Sequence, residues 1–281
     1  MPVEILHVQK LLTDQETEQL KGKFLDDSHA RQVLTSDADV YGPDGKILIK
    51  FRKNVFDISE IQQMYHAIKD FAKKTSTNRG IASASEKGVK TGQKAAVASN
   101  ILGYFDSWSI SQRAKFKRLG IQPPGPCREC RFNLEHPDKW KDCLPFIKSI
   151  DRMYSELCPE HHTNQMTAAN KTRYRIEGTS FSTITTNLNF RTASHTDVGD
   201  WPAGFGNLTV IENDKRYEGC FTCLPQFGIA VDCRMGDFLA MDVHHLHGNT
   251  PKTGEGDRLS LVCYLREKII EKTGNLVSPG E

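Results

Sequence analysis

The spacing of apolar residues changes partway along the chain. Over residues 57–74, Ile58, Ile61, Met64, Tyr65, Ile68 and Phe71 recur every three or four positions, which predicts a helix with one buried face. Asp57 or Ser59 stands where its N-cap belongs. A second stripe, Leu144, Ile147, Ile150, Tyr154 and Leu157, predicts a helix over about 142–157. From Tyr174 onward the period falls to two. Segments 183–190, 208–211, 220–224, 229–231, 238–243 and 259–264 are short, β-branched or apolar, and separated by Gly, Pro, Asn and Asp. That pattern predicts an antiparallel sandwich or jelly roll. Residues 1–60 mix strand-like pieces with turns such as Tyr41-Gly42-Pro43-Asp44-Gly45, and Thr13-Asp14-Gln15-Glu16 has the form of a capping box. Residues 79–126, rich in Gly, Ala and Ser and then Pro, predict ordered loops wrapped on the core. The expectation is a single α+β domain over 1–281: a helical, loop-rich flank (1–173), a jelly-roll core (174–270) and a tail (271–281).

Composition adds bounds. A chain with 38% hydrophobic and 26% charged residues has the make-up of an ordinary globular protein. No apolar run approaches the roughly 20 residues of a membrane span, and Met1-Pro2-Val3-Glu4-Ile5-Leu6 lacks the basic-then-apolar form of a secretory signal. The eight cysteines then read as reduced thiols or metal ligands, and an intracellular protein is expected, nuclear if eukaryotic. A net charge of +2 does not announce a nucleic-acid binder. Its distribution says more: Lys87, Lys90, Lys94, Arg113, Lys115, Lys117, Arg118, Arg128 and Arg131 face only Asp106 and Glu129 in that stretch. Such a segment either neutralises phosphates or is a solvated face.

The chemistry gathers in the β-rich half. His195 and Asp197 are two apart, so in extended chain both reach one ion. Downstream comes His244-His245-Leu246-His247-Gly248-Asn249. His247, just before the turn Gly248-Asn249-Thr250-Pro251, is the favoured third ligand. His245 shares its parity and is the alternative, while His244 faces away. Two histidines and a carboxylate that leave metal positions open are the ligand set of non-haem Fe(II) oxygenases, whose open sites take a 2-keto acid and O₂. Arg258 opens the last strand, where a guanidinium can fork onto the distal carboxylate of 2-oxoglutarate, and Ser260 on the same face can add a hydroxyl. A hydrolytic zinc site with the same ligands would leave Arg258 unexplained.

Several stretches resemble the TET/J-binding-protein oxygenases. They are 190–200 with 204–208, 236–250, and Arg258-Leu259-Ser260-Leu261-Val262. Upstream, Thr77-Asn78-Arg79 and Tyr154-Ser155-Glu156-Leu157-Cys158-Pro159 with Asn164-Gln165 are similar to segments ahead of that family's core. The resemblance covers about residues 75–270. It implies a double-stranded β-helix (cupin-like) core and an Fe(II)- and 2-oxoglutarate-dependent dioxygenase using O₂. It also implies oxidation of the 5-methyl group of 5-methylcytosine or thymine in nucleic acid, DNA foremost. His195, Asp197 and His247 would hold iron, and Arg258, Ser260 and Arg79 the co-substrate. Asp200 would contact the target base, and Arg266, of the same parity as Arg258, is a further substrate-side candidate. Ascorbate replaces 2-oxoglutarate in one branch of related enzymes and is the alternative co-substrate. A duplex hides its methyl groups, so the base must be flipped out or presented on a single strand. Tyr104, Phe105 and Trp108 are then stacking candidates, with the core as their default place.

Cys127-Arg128-Glu129-Cys130, with Cys143 or with Cys158 and His161, has admissible but irregular spacing for zinc, and a structural zinc is not expected. Cys220 and Cys223 point to opposite faces if they lie in a strand. Two other functions compete: an Fe(II)/2-oxoglutarate hydroxylase of a protein side chain or small molecule, and a non-catalytic DNA-binding module on an oxygenase fold.

Overall fold

A computed structural model describes residues 2–76, 79–83, 96–213 and 215–274. In chain order its strands are β1 (Glu4–His7), β2 (Gln32–Leu34), β3 (Ala38–Tyr41), β4 (Ile47–Arg52), β5 (Ser99–Phe105), β6 (Arg128–Glu129), β7 (Thr183–Leu188) and β8 (Gly206–Glu212). There follow β9 (Tyr217–Gly219), β10 (Thr222–Leu224), β11 (Ile229–Val231), β12 (Phe238–Met241), β13 (Gly248–Asn249), β14 (Lys252–Gly254) and β15 (Arg258–Tyr264). The helices are α1 (Asp14–Gln19), α2 (Ile58–Ala72), α3 (Ile110–Arg118), α4 (Arg131–Glu135), α5 (Pro137–Leu157), α6 (Pro159–Ala169) and α7 (Glu267–Thr273). The chain divides into two compact units, one of residues 1–100, 185–198 and 205–262, the other of 101–184, 199–204 and 263–281.

In the first unit a larger sheet runs β1-β3-β4-β12-β8-β15-β7 and a smaller one β13-β10-β11-β2. The period-two pattern sorts each strand's side chains. Leu239 and Met241 enter the same buried cluster as Val40, Ile49, Phe51, Leu208 and Val210 from the larger sheet and Leu34, Leu224, Ile229 and Val231 from the smaller. Phe238, out of phase, meets Phe56 edge-on ahead of α2. Two facing sheets with their inward residues interdigitated form the expected α+β, double-stranded β-helix core. The strands within residues 4–52 extend both sheets, through the parallel pairs β1–β3 and β2–β11. Parallel partners far apart in sequence leave no local signature.

One buried ion cluster ties β3 to β4. Asp39 accepts from Lys50 Nζ at 2.5 Å and Arg52 Nη1 at 2.8 Å. Burial pushes the Asp39 carboxyl up, and hydrogen bonds from Arg52 and Lys50 outweigh it, so its pKa falls below the ordinary value. A carboxyl lowered on folding adds stability that is present above its ordinary pKa and lost as pH falls through the folded value. Asp39→Asn is therefore expected to lower stability at pH 7 by on the order of 3 kcal/mol, because two largely buried cations lose their counter-ion. It should also flatten the acid limb of the stability curve. Urea midpoints from pH 7 to 3 would show this, and an unchanged midpoint at pH 7 would refute it.

The second unit holds α3 to α7 and the β5–β6 pair, in which Tyr104 faces Glu129 and Phe105 faces Arg128. The stripe predicted over 142–157 is there, but α5 starts five residues earlier, with Pro137 in its first turn. That turn is polar, so periodicity misses it, while proline's lost donor costs nothing there. The expectation of loops over 79–126 is corrected: β5 and α3 lie within it. Gly103 disguises β5. It has φ of +82°, and a Cβ there would lie 2.5 Å from the Ser182 carbonyl oxygen. Inside the unit, Asp151 accepts from the Ser180 amide and hydroxyl at 2.8 and 2.6 Å, and Gln165 donates to Ser180. Lys87, Lys90, Lys94, Thr77 and Asn78 lie outside the described residues.

Candidate metal centre

The first unit builds the centre by crossing two stretches of backbone. His195 and His247 form an antiparallel bridge, with N–H···O distances of 2.8 and 2.9 Å in the two directions. The Asp197 amide donates to the Val243 carbonyl at 3.1 Å. The crossing is close because residue 248 is glycine: a Cβ there would lie 3.0 Å from Ser194 Cα. Gly248→Ala is expected to push the two ligand strands apart and weaken metal binding roughly 10-fold, the low end of what disturbed ligand support costs. Metal titration followed by ultracentrifugation measures it, and wild-type affinity would show that the contact does not set the ligand spacing.

The side chains converge. His195 Nε2 lies 3.3 Å from Asp197 Oδ1, and His247 Nε2 3.6 Å from Asp197 Oδ2. One ligand atom from each residue falls within 4.8 Å of the others, and the three form a group able to hold a metal ion. Each ring is turned by its other nitrogen: His195 Nδ1 bonds the Ala193 carbonyl at 2.7 Å and His247 Nδ1 the His245 carbonyl at 2.9 Å. A carbonyl only accepts, so Nδ1 donates in each ring, and Nε2 is the nitrogen that faces Asp197 and is left to ligate a metal. Burial pushes the Asp197 carboxyl up, yet the bonds with His195 and His247 hold it well below the usual carboxylate range. The His195 pKa is lowered by burial and raised more by Asp197, with the charge of Arg79 acting against protonation. Arg79 thus lies within electrostatic reach of the ring.

The three downstream histidines part ways. His244 and His245 both turn to Asp242, at 2.8 and 3.6 Å, and His245 sets its ring edge-on to Phe227. Only His247 reaches Asp197. Strand parity does not decide this, because β12 ends at Met241 and the chain then turns. In the same region Asp237 is a structural carboxylate, taken up by Lys53, the Asn54 amide and the Arg234 amide.

Arg258 and Ser260 are buried, at 4% and 3% exposure, and share the parity of Val262, which packs on the cluster between the sheets. Arg258 Nη2 has no hydrogen-bond partner. Nor does the Thr222 hydroxyl, which shares its face of β10 with the core residue Leu224. Sequence reading missed Thr222; its only signal was a hydroxyl at an inward position of an apolar strand. Buried donors without acceptors are costly, and each is a candidate to bond a ligand. An Nη2 donor and a hydroxyl suit a small dicarboxylate.

In the second unit Asp200 is 8% exposed and forms a backbone bridge with Arg266. The Arg266 guanidinium, expected on the substrate side, is committed to Asp106: Nε and Nη2 both lie 2.6 Å from Oδ2. The loop around Asp200 is tied down elsewhere too, by Glu267 N–H to the Gly199 carbonyl and Trp201 N–H to the Leu265 carbonyl. Gly204 passes so near Gln165 that a Cβ would lie 2.1 Å from Oε1. The stacking candidates are occupied. Tyr104 meets Tyr174 edge-on, Phe105 has Arg128 and Arg266 over its ring, and Trp108 donates to the Gly125 carbonyl. Burial pushes the Cys127 and Cys130 thiols up to about 11 and 12, so both remain protonated near neutral pH.

Two imidazoles and a carboxylate on a double-stranded β-helix define the class: the fold and ligand set of the non-haem Fe(II), 2-oxoglutarate-dependent oxygenases. Within it the family is specific. The TET/JBP family model, described as the oxygenase domain of the 2OGFeDO superfamily, matches residues 118–267, and the chain belongs to that family. Over 175 residues it is 37% identical to the bifunctional helicase and thymine dioxygenase JBP2 of Leishmania tarentolae, covering 61% of this chain and 15% of that protein. Over 179 residues it is 34% identical to the thymine dioxygenase JBP1 of Trypanosoma brucei brucei, covering 62% of this chain and 20% of that one. The chain therefore spans a fifth or less of the length of these relatives. The structure of NgTET1 in complex with 5mC DNA shares the fold, with a TM-score of 0.60 at 14% identity, over 85% of this chain and 80% of that one. Among the described residues no helix is long and apolar enough to cross a membrane.

Proposed function

We propose that this chain is an Fe(II)- and 2-oxoglutarate-dependent dioxygenase that oxidises the 5-methyl group of a pyrimidine, thymine or 5-methylcytosine, in DNA. One observation carries the reaction class: a His195–Asp197–His247 group in the same unit as a buried guanidinium with a free donor. The substrate follows the thymine dioxygenases to which the chain is similar and the 5mC DNA bound by NgTET1. The work of such an enzyme lies with the genome, in the nucleus of a eukaryote.

His195 Nε2, Asp197 and His247 Nε2 would hold the iron. With 2-oxoglutarate and O₂, it would supply the oxidation of a methyl C–H to C–OH, with succinate and CO₂ as co-products. The Arg258 fork takes the distal carboxylate, with Ser260 and Thr222 offering hydroxyl donors and Arg79 adding positive charge. Ascorbate has no carboxylate for that fork, which favours 2-oxoglutarate. Asp200 accepts a hydrogen bond from the exocyclic amino group or ring N–H of the target base. Arg266 acts on the Asp200 loop through its backbone, its guanidinium being held by Asp106.

The test is nucleoside mass spectrometry after incubation with Fe(II), O₂ and either 2-oxoglutarate or ascorbate, on 5-methylcytosine DNA and ordinary DNA in parallel. A 5-hydroxymethyl pyrimidine formed only with 2-oxoglutarate is expected. Succinate without an altered base in either DNA would move the substrate to a protein or small molecule. Neither product would remove the enzyme.

A further inference from the structure

We infer that α3 is a docking surface for the sugar–phosphate backbone of duplex DNA. This rests on the reading that DNA is the substrate, and it concerns the second unit, which also carries Asp200.

The helix is unusual for what it lacks. None of its residues is buried. Arg113, Lys115, Lys117 and Arg118 are all exposed, and none pairs with a carboxylate among the described residues. From Ser107 to Cys127 the chain has no Asp or Glu, so nine residues of helix carry four positive charges in a chain whose net charge is +2. A solvated helix face ordinarily mixes both signs and gains from i,i+4 pairs, and α3 makes none. The basic last turn suits the helix dipole, but Arg113 lies outside that explanation.

The helix is nonetheless built to hold its shape. Ser109 and Gln112 form a reciprocal capping box, and Phe116 sets its ring edge-on to Trp108, which is itself bonded to Gly125. With Gln112 and Phe116 turned toward the protein, the four cations spread over the outward side. Ile110, 81% exposed, lies among them.

Its anchorage leads to the Asp200 loop. Three residues ahead of the Ser109 cap, Asp106 grips Arg266 and its carbonyl accepts from Lys272 Nζ. Arg266 bridges Asp200 by its backbone. A rigid cationic rod about 14 Å long thus starts within a few residues of the strand end that holds the base-contacting loop. Its charge complements a polyanion, and its length spans several phosphates of a duplex.

The test uses the whole 281-residue chain, loaded with iron, and a fluorescent 20-base-pair duplex in either methylation state, with anisotropy read across a salt series. The variant R113Q/K115Q/K117Q/R118Q is compared with the charge-keeping R113K/K115R/K117R/R118K, and thermal melting and iron content verify that both fold. Neutralisation is expected to raise Kd about 10- to 100-fold and to make the slope of log Kd against log salt shallower by up to about 3.6, since each of four lost phosphate contacts contributes about 0.9. The charge-keeping variant should bind like wild type. Equal Kd and slope in the neutralised variant would overturn the assignment, as would a loss confined to a matching RNA duplex. Base oxidation is scored separately. If wild type oxidises DNA and the neutralised variant binds it normally, only the helix assignment falls. If wild type binds DNA through α3 but alters no base, only the reaction falls.

Discussion

Asp197→Ala is expected to abolish iron binding and turnover together, with metal affinity falling at least about 100-fold, beyond the range caused by disturbing only a ligand's support. The residue brings the sole negative charge to the group, and His195 and His247 each rest an Nε2 on one of its oxygens. Without it, two imidazoles remain with ring centres 4.6 Å apart and no anion to offset a dication. The side chain is 30% exposed, so its removal creates no large cavity and the fold should survive. Metal analysis of the purified variant, with succinate release and base oxidation from the same preparation, checks this. Iron bound at wild-type stoichiometry would mean that Asp197 is not a ligand.

Arg258 should separate binding from stability. Arg258→Met is expected to raise the KM for 2-oxoglutarate by 100-fold or more, the loss of a buried, charge-assisted fork. Arg258→Lys keeps the charge but not the fork, and should lose about 10-fold or more. In the absence of co-substrate the effect reverses. A guanidinium at 4% exposure with an unmet Nη2 donor burdens the empty protein, so Arg258→Met should melt at the same temperature as wild type or higher. Adding 2-oxoglutarate should then stabilise wild type and leave the variant unmoved. A variant that melts lower and still responds to 2-oxoglutarate would show that Arg258 is structural.

The candidate site was legible where its chemistry is carried by residue type and short spacing. His195 and Asp197 two apart, a histidine before Gly248, and Arg258 opening a strand are local facts, and the folded chain brings the first three together. His247 was favoured over His245 by a turn expected at 248–251, yet Gly248–Asn249 form β13, and the chain turns earlier, after Met241. Thr222 was invisible, because a hydroxyl among apolar residues means nothing until one knows that its face of β10 looks between the sheets. α3 escaped for the opposite reason. Polar all round, it has no apolar stripe, and only Ser109 and Gln112 mark its start.

By itself the sequence determined what short-range physics sets. The period of apolar positions decides helix or strand, because side-chain direction repeats every 3.6 or 2 residues. The ligand types decide which ion and co-substrate suit them. Tertiary structure alone decided which distant segments meet. It put strands from the first 52 residues into both sheets and crossed the His195 and His247 backbones at a glycine. It also spent the Arg266 guanidinium on Asp106. Those outcomes turn on which of many chemically equivalent partners lies within a few ångströms, and no local stretch of chain encodes that distance.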